Sequence, residues 1–213
     1  MLEYLVKDEE EKSGKTPLLI LIHGFGADER DLFGLANFLP KKFKIISLKG
    51  QFPMDMGLGR HWYNIRWIGN DKEVDIKQGL NSYDLLIKFI ENISNELGTD
   101  PDNITLFGFS QGAILSHAIA LSRPDLVKNV IACSGYIDER LFEKSSNLDK
   151  VKKNNVFMSH GIFDEVIPIT QAREADKYLK VNGLDHFYKE YEVPHSISEE
   201  ILIDILNWLD GKY

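Results

Sequence analysis

Residues 104–118 read ITLFGFSQGAILSHA, and their order decides the fold. Ile104 to Phe109 is a short, almost continuously apolar run, as expected of a strand covered on both faces. Residues 111–122 then follow a helical pattern. Between the two stands Gly108-Phe109-Ser110-Gln111-Gly112, a G-x-S-x-G sequence at a strand–turn–helix junction. The spacing has a steric cause. A serine on a sharp, strained turn needs neighbours without side chains, because strand and helix pass close on either side. With ordinary glycine and serine usage, such a pentapeptide arises by chance in roughly one chain in fifteen of this length. A preceding strand and a following helix make it several-fold rarer.

Working outward, further short apolar runs alternate with helical segments. The runs are 18–22 (LLILI), 44–48 (KIISL), 127–133 (VKNVIAC), 156–160 (VFMSH) and 187–193 (FYKEYEV). Leu85, Leu86, Phe89, Ile90, Ile93 and Leu97 share one helical face, with Gly98 as its C-terminal cap. Residues 169–182 read as a helix closed by Gly183. A last helix opens on Ser196 and Glu199 in an S-x-x-E capping arrangement and buries Ile201, Leu202, Ile205, Leu206 and Leu209. Near the amino terminus, Glu3 to Lys7 alternates, and the charge run Asp8 to Lys12 reads as a solvated turn. The alternation predicts an α/β fold, a mostly parallel sheet with helices on both faces, over a single domain 1–213. Residues 50–75 break the rhythm. They are long, glycine-punctuated and rich in Phe52, Met54, Met56, Trp62, Tyr63 and Trp67, which suggests an irregular loop lining a substrate pocket.

Composition narrows the function classes. The chain has 213 residues, 25 basic against 33 acidic, and a net charge of −8. That balance argues against a nucleic-acid partner and against docking on anionic lipid. Hydrophobic residues at 43% and charged residues at 27% exclude a disordered chain. Cys133 is the single cysteine, so no internal disulfide forms. No run approaches 18 apolar residues, and the amino terminus lacks a signal peptide's apolar core. The expectation is a soluble, cytoplasmic protein without stable membrane insertion.

A serine hydroxyl is a weak nucleophile at neutral pH and needs a base, itself held by a third group. In this strand–helix context the partners follow in the order Ser, then acid, then His. Asp164 lies in the loop after 156–160, and His195 follows Val193-Pro194 just before the last helix. His195 would relay the serine proton, and Asp164 would orient the imidazole and stabilise its charged form. His23 and His160 each open a glycine turn, where a backbone-bonded structural role is expected. His117 points away from the elbow, His61 lies in the aromatic loop, and His186 precedes a strand. The developing oxyanion needs N–H donors. Gln111, after the nucleophile, and Phe25, in the turn His23-Gly24-Phe25-Gly26, are the candidates. Neither clustered metal ligands nor a phosphate-binding glycine loop is present, so no metal and no cofactor is expected.

With HGFGADE, GFSQGA, HGIFDEVIP and a late histidine before the last helix, the sequence resembles the α/β-hydrolase family of acyl-protein thioesterases, lysophospholipases and small bacterial carboxylesterases. The resemblance spans nearly the whole chain. It implies an α/β-hydrolase fold with no large cap domain and cofactor-free cleavage of esters or thioesters through an acyl-enzyme. It also implies a small-molecule or lipid-like acyl ester as substrate. Phe52, Trp62 and Trp67 would contact the apolar part of that substrate. Pro194 stands where relatives often carry glycine, and HWYNIRW differs from the shorter W-F-D type segment of eukaryotic thioesterases, which favours a bacterial-type esterase. A homodimer is compatible with the sequence, since the aromatic stretch could meet a second subunit. Two alternatives stand beside this reading. One is a non-catalytic hydrolase-fold protein that binds ligands or partners. The other is a dienelactone-type hydrolase, a class that commonly uses a cysteine nucleophile.

Overall fold

The structure, a computed structural model, describes residues 2–11, 14–57, 59–68, 71–143 and 154–211, apart from the side chains at 56, 67, 68, 71 and 72. Its frame is a seven-stranded sheet. The strands are β1 (Tyr4–Lys7), β2 (Leu18–Ile22), β3 (Lys44–Leu48), β8 (Ile104–Phe109), β9 (Asn129–Cys133), β10 (Asn155–Gly161) and β11 (His186–Tyr191). They lie in the order β1-β3-β2-β8-β9-β10-β11. Only the edge strand β1 runs antiparallel, paired with β3. Four α-helices accompany the sheet among the described residues: α1 (Ile76–Leu97), α2 (Gln111–Ser122), α3 (Ile169–Val181) and α4 (Glu199–Asp210).

The run Leu18–Ile22 shows why so continuous an apolar segment is required. Its side chains alternate between two cores, and every one of them is fully buried. Leu18, Ile20 and Ile22 face α1, α2 and α3, beside Ile46, Leu106 and Val130. Leu19 and Leu21 face α4 and the segment carrying Leu32, Ala36, Leu39 and Phe43. Helix α2 lies within the first core and is buried from Gln111 to Leu121, mostly through apolar residues, as suits a helix enclosed on every side.

Two boundaries differ from the sequence reading. Helix α1 begins at Ile76, well before the apolar face at 85, because the Asp75 carboxylate accepts a hydrogen bond from Gln78 N–H. Gly98 closes it in the left-handed region, φ 66°. The last helix is capped by Ser198, whose Oγ accepts from Ile201 N–H at 3.3 Å. Ser196 instead bonds back to the Pro194 carbonyl. Residues 192–197 are spent returning the chain from β11 toward the middle of the sheet, so the helix starts two residues later than the S-x-x-E spacing predicts.

Within 50–75 the described residues form two short antiparallel strand pairs, β4 (Phe52–Pro53) with β5 (Arg60–His61), and β6 (Ile65–Ile68) with β7 (Asp71–Val74). No large cap domain is seen among the described residues. No described helix is long and apolar enough to cross a membrane.

Candidate active site

Successive strands are laid to one side of β2 (β3) and then to the other (β8), so the order reverses between β2 and β8. A crevice at the carboxyl ends of parallel strands forms at such a point. Ile22 of β2 pairs with Gly108 of β8, which sets the turn His23-Gly24-Phe25 beside Phe109-Ser110.

Ser110 sits at φ 54°, ψ −116°, a conformation costing a non-glycine residue on the order of 1–3 kcal/mol. Packing over-determines it. Ser110 N–H donates to the Cys133 carbonyl at 3.0 Å, and its own carbonyl accepts from Ile114 N–H at 3.1 Å. The flanking glycines are required by close approach. A Cβ on Gly108 would overlap the Gly112 backbone, and one on Gly112 would overlap the Ile22 carbonyl. Helix α2 begins at Gln111, so the unpaired N–H groups of its first turn and the positive end of its dipole are directed here.

The loop after β10 buries Asp164 completely at its side chain. Its Oδ1 accepts from Val166 N–H at 2.9 Å and Ile167 N–H at 2.8 Å, and Oδ2 accepts from His195 Nδ1–H at 2.6 Å. These bonds satisfy a carboxylate that would otherwise be costly to bury. They also direct the other nitrogen of His195, Nε2, away from the acid. The imidazole lies 4.8 Å from the Phe109 ring, centroid to centroid. Ser110 and His195 line one cavity of about 360 Å³. His160 is a second imidazole on the same acid, with Nε2 donating to the Ile167 carbonyl at 2.8 Å and lying 3.3 Å from Asp164 Oδ2. Burial lowers the pKa of His160, consistent with a neutral ring.

His23 is structural, as expected. Nδ1–H donates to the Gly24 carbonyl at 2.7 Å, and Nε2 accepts from Gly50 N–H at 3.0 Å. Both partners require the neutral ring, and burial lowers its pKa accordingly. The turn carrying Phe25 is also stitched to β5. Gly26 N–H donates to the Arg60 carbonyl at 2.8 Å, and Arg60 N–H to the Ala27 carbonyl at 2.7 Å. His117 lies inside α2 facing away from the site, and burial pushes its pKa down to about 4. Burial pushes the Cys133 thiol up to about 12, leaving it inert beside the elbow.

The aromatic residues of 50–75 are arranged differently from the expectation. Trp62 is fully buried and does not line the cavity; its Nε1–H donates to the His23 carbonyl at 3.0 Å. Phe52 stacks on His61 at 5.6 Å, with Phe25 on His61 at 5.3 Å, and Phe52 does not line the cavity either. The Trp67 side chain lies outside the described residues. The cavity wall from this region is Tyr63, Ile65 and Val74, facing Ile114, Tyr136 and Val166. The Gln111 side chain fixes that wall: Oε1 accepts from Trp62 N–H at 3.1 Å, and Nε2 donates to the Tyr63 carbonyl at 2.7 Å.

Sheet, switch-point crevice and serine elbow together define an α/β hydrolase. The chain matches the phospholipase/carboxylesterase family over residues 6–212 and belongs to it. It is 30% identical over 210 residues to an acyl-protein thioesterase 1 from Kluyveromyces lactis, covering 90% of each chain. Among solved structures, esterase PE8 superposes with a TM-score of 0.84 at 23% identity, covering 99% of this chain and 98% of the other. The Bacillus cereus carboxylesterase superposes at 0.85 and 19% identity, covering 100% and 95%. The protein is therefore a carboxylic ester hydrolase.

Proposed function

We propose that this hydrolase cleaves small carboxylic esters and thioesters through a Ser110–His195–Asp164 triad and an acyl-enzyme. The observation that carries the reading is the 2.6 Å bond from His195 Nδ1–H to a fully buried Asp164, with His195 opening onto the cavity that holds the strained Ser110. In the first step His195 Nε2 takes the Oγ proton as Oγ bonds to the substrate carbonyl carbon. The N–H groups of Phe25 and Gln111 receive the oxyanion. The bond to the alcohol or thiol then breaks, and the leaving atom takes the proton from Nε2. Water repeats the sequence on the acyl-enzyme and releases the acid. Asp164 keeps the imidazole in the tautomer that presents Nε2 to serine and stabilises the imidazolium.

An apolar cavity of about 360 Å³ lies at the small end of the usual range, about 300–1,000 Å³ for ligand sites. That favours short acyl groups. The test is hydrolysis of p-nitrophenyl butyrate together with fluorophosphonate labelling. Ser110→Ala, His195→Ala and Asp164→Asn are each expected to lower kcat by roughly 10⁴–10⁶, and Ser110→Ala to abolish labelling. Wild-type turnover by Ser110→Ala would refute the assignment.

A further inference from the structure

His195 borders a second hollow. A groove of about 300 Å³ adjoins this residue, lined by Asp31, Leu32, Leu35, Phe109, Ser196 and Ile197. Groove and cavity share Asp31, Phe109 and His195, whereas Ser110, Gly24 and Gln111 line the cavity alone. Resting on the triad proposed above, acyl transfer constrains what each hollow can hold. The imidazole that accepts the serine proton must hand it to the departing oxygen or sulfur, so the leaving group lies against His195. The acyl carbonyl lies against Ser110 and the N–H donors. The groove is the hollow that reaches His195 without the nucleophile.

We propose that this groove receives the leaving alcohol or thiol, and that Asp31 makes it selective for leaving groups carrying a cationic head beyond an apolar spacer. Leu32, Leu35, Phe109 and Ile197 supply an apolar wall for the spacer. Asp31 supplies the charge, and no side chain among the described residues pairs with its carboxylate. Arg30, the adjacent base, is engaged by Asp28 at 3.4 Å. Partial desolvation raises the carboxyl of Asp31, an exposed residue, above its ordinary value, with nearby His23 pulling against that rise and Asp28 adding to it. A positive group on the substrate would relieve both the desolvation and the Asp28 repulsion. The net charge of −8 also steers cations rather than anions toward the protein.

In chemical terms, the bond from carbonyl carbon to the leaving oxygen breaks, and that oxygen takes its electron pair and the proton from His195 Nε2. A neutral hydroxyl bearing the remote cation departs. The experiment compares butyrylcholine with 3,3-dimethylbutyl butyrate, which has the same shape but a quaternary carbon in place of the nitrogen. The ratio of their kcat/KM values is measured in wild type and in Asp31→Asn. The ratio should fall about threefold to fivefold in Asp31→Asn, the size of one partly solvated charge pair. Each ratio is taken within one protein, so partial loss of folded enzyme cancels, and comparing the two ratios removes the intrinsic difference between the two alcohols.

Ile197→Trp narrows the groove. Its penalty should grow as the butyrate ester changes from ethyl to 3,3-dimethylbutyl, and should not grow with acyl length across ethyl esters. An unchanged ratio in Asp31→Asn, or an Ile197→Trp penalty that follows the acyl chain, would overturn the proposal. Ser110→Ala is assayed on both esters. Residual wild-type rates there would unseat the triad itself, whereas an inactive Ser110→Ala with unchanged ratios unseats only the leaving-group assignment.

Discussion

His160 shows how a residue outside the proposed triad bears on its acid. Its Nε2–H donates to the Ile167 carbonyl and lies 3.3 Å from the carboxylate oxygen that His195 uses. Ile167 N–H in turn donates to the other carboxylate oxygen. One ring thus holds both ends of the Asp164 turn. Its Nδ1 is buried without a partner, so Nε2 is the only working nitrogen. His160→Leu should cost about 1–3 kcal/mol in urea denaturation, the usual consequence of leaving a buried acceptor unpaired. Its kcat on p-nitrophenyl butyrate should fall roughly tenfold, in line with about 1.4 kcal/mol lost from transition-state support. His160→Gln can present an amide N–H near the Nε2 position and should recover most of both losses. Equal damage in the two variants would mean that ring packing, not the N–H, is what matters. At this scale much was legible in advance. The elbow at Ser110 and the pairing of Asp164 with His195 could be anticipated from local motif and chain order, and so could a histidine opening a glycine turn. That His160 touches Asp164 was not legible, because it depends on how four residues fold back on themselves.

The elements differ in how far local sequence determines them. Strands β2, β3 and β8 could be read directly, since a strand enclosed on both faces must be apolar along its whole length. Residues 50–75 could not. A tryptophan that lines a pocket and one that fills a core carry the same hydrophobic signal, and the distinction rests on contacts such as Trp62 with His23 and Gln111. The aromatic loop is instead a brace for the turn that carries Phe25. Gly59, at φ 81°, is where the brace touches closest. A Cβ there would overlap the Gly26 carbonyl, and the next residue, Arg60, makes both backbone bonds to the turn. Gly59→Ala should therefore push β5 away from Gly26 and displace the Phe25 N–H from its proposed place at the oxyanion. Removing one such donor costs roughly 10²–10³ in kcat, so a loss of that order is expected, with KM for p-nitrophenyl butyrate changed much less. A Gly59→Ala enzyme with wild-type kcat would show that the turn holds its geometry without β5.

Across the whole molecule, His23, His117 and His160 all have pKa values lowered chiefly by burial. The fold keeps these rings neutral, and the unfolded chain binds protons that the native state refuses. Stability from such groups is complete above the unfolded value of about 6.5 and is lost as pH falls toward the folded value. His117, at about 4 with His186 adding its own repulsion, spans the widest gap between unfolded and folded values. Between pH 7.5 and pH 5 it should remove about 2 kcal/mol of unfolding free energy, since each pKa unit corresponds to about 1.4 kcal/mol. Paired carboxylates respond in a different window. Glu190, lowered by Arg173, and Asp204, lowered by Lys189, keep their contribution above their ordinary values near 4.5 and 3.8 and lose it only in stronger acid. The interval from pH 7.5 to 5 thus isolates the histidines. His117 Nε2 is buried without a partner, so His117→Met removes the titration without orphaning a bond at that nitrogen. Urea denaturation at the two pH values should show a smaller acid loss in His117→Met than in wild type, by about 2 kcal/mol. An identical loss in both proteins would mean that the interior opens enough below pH 6.5 to hydrate the ring, and that burial there does not hold the proton off.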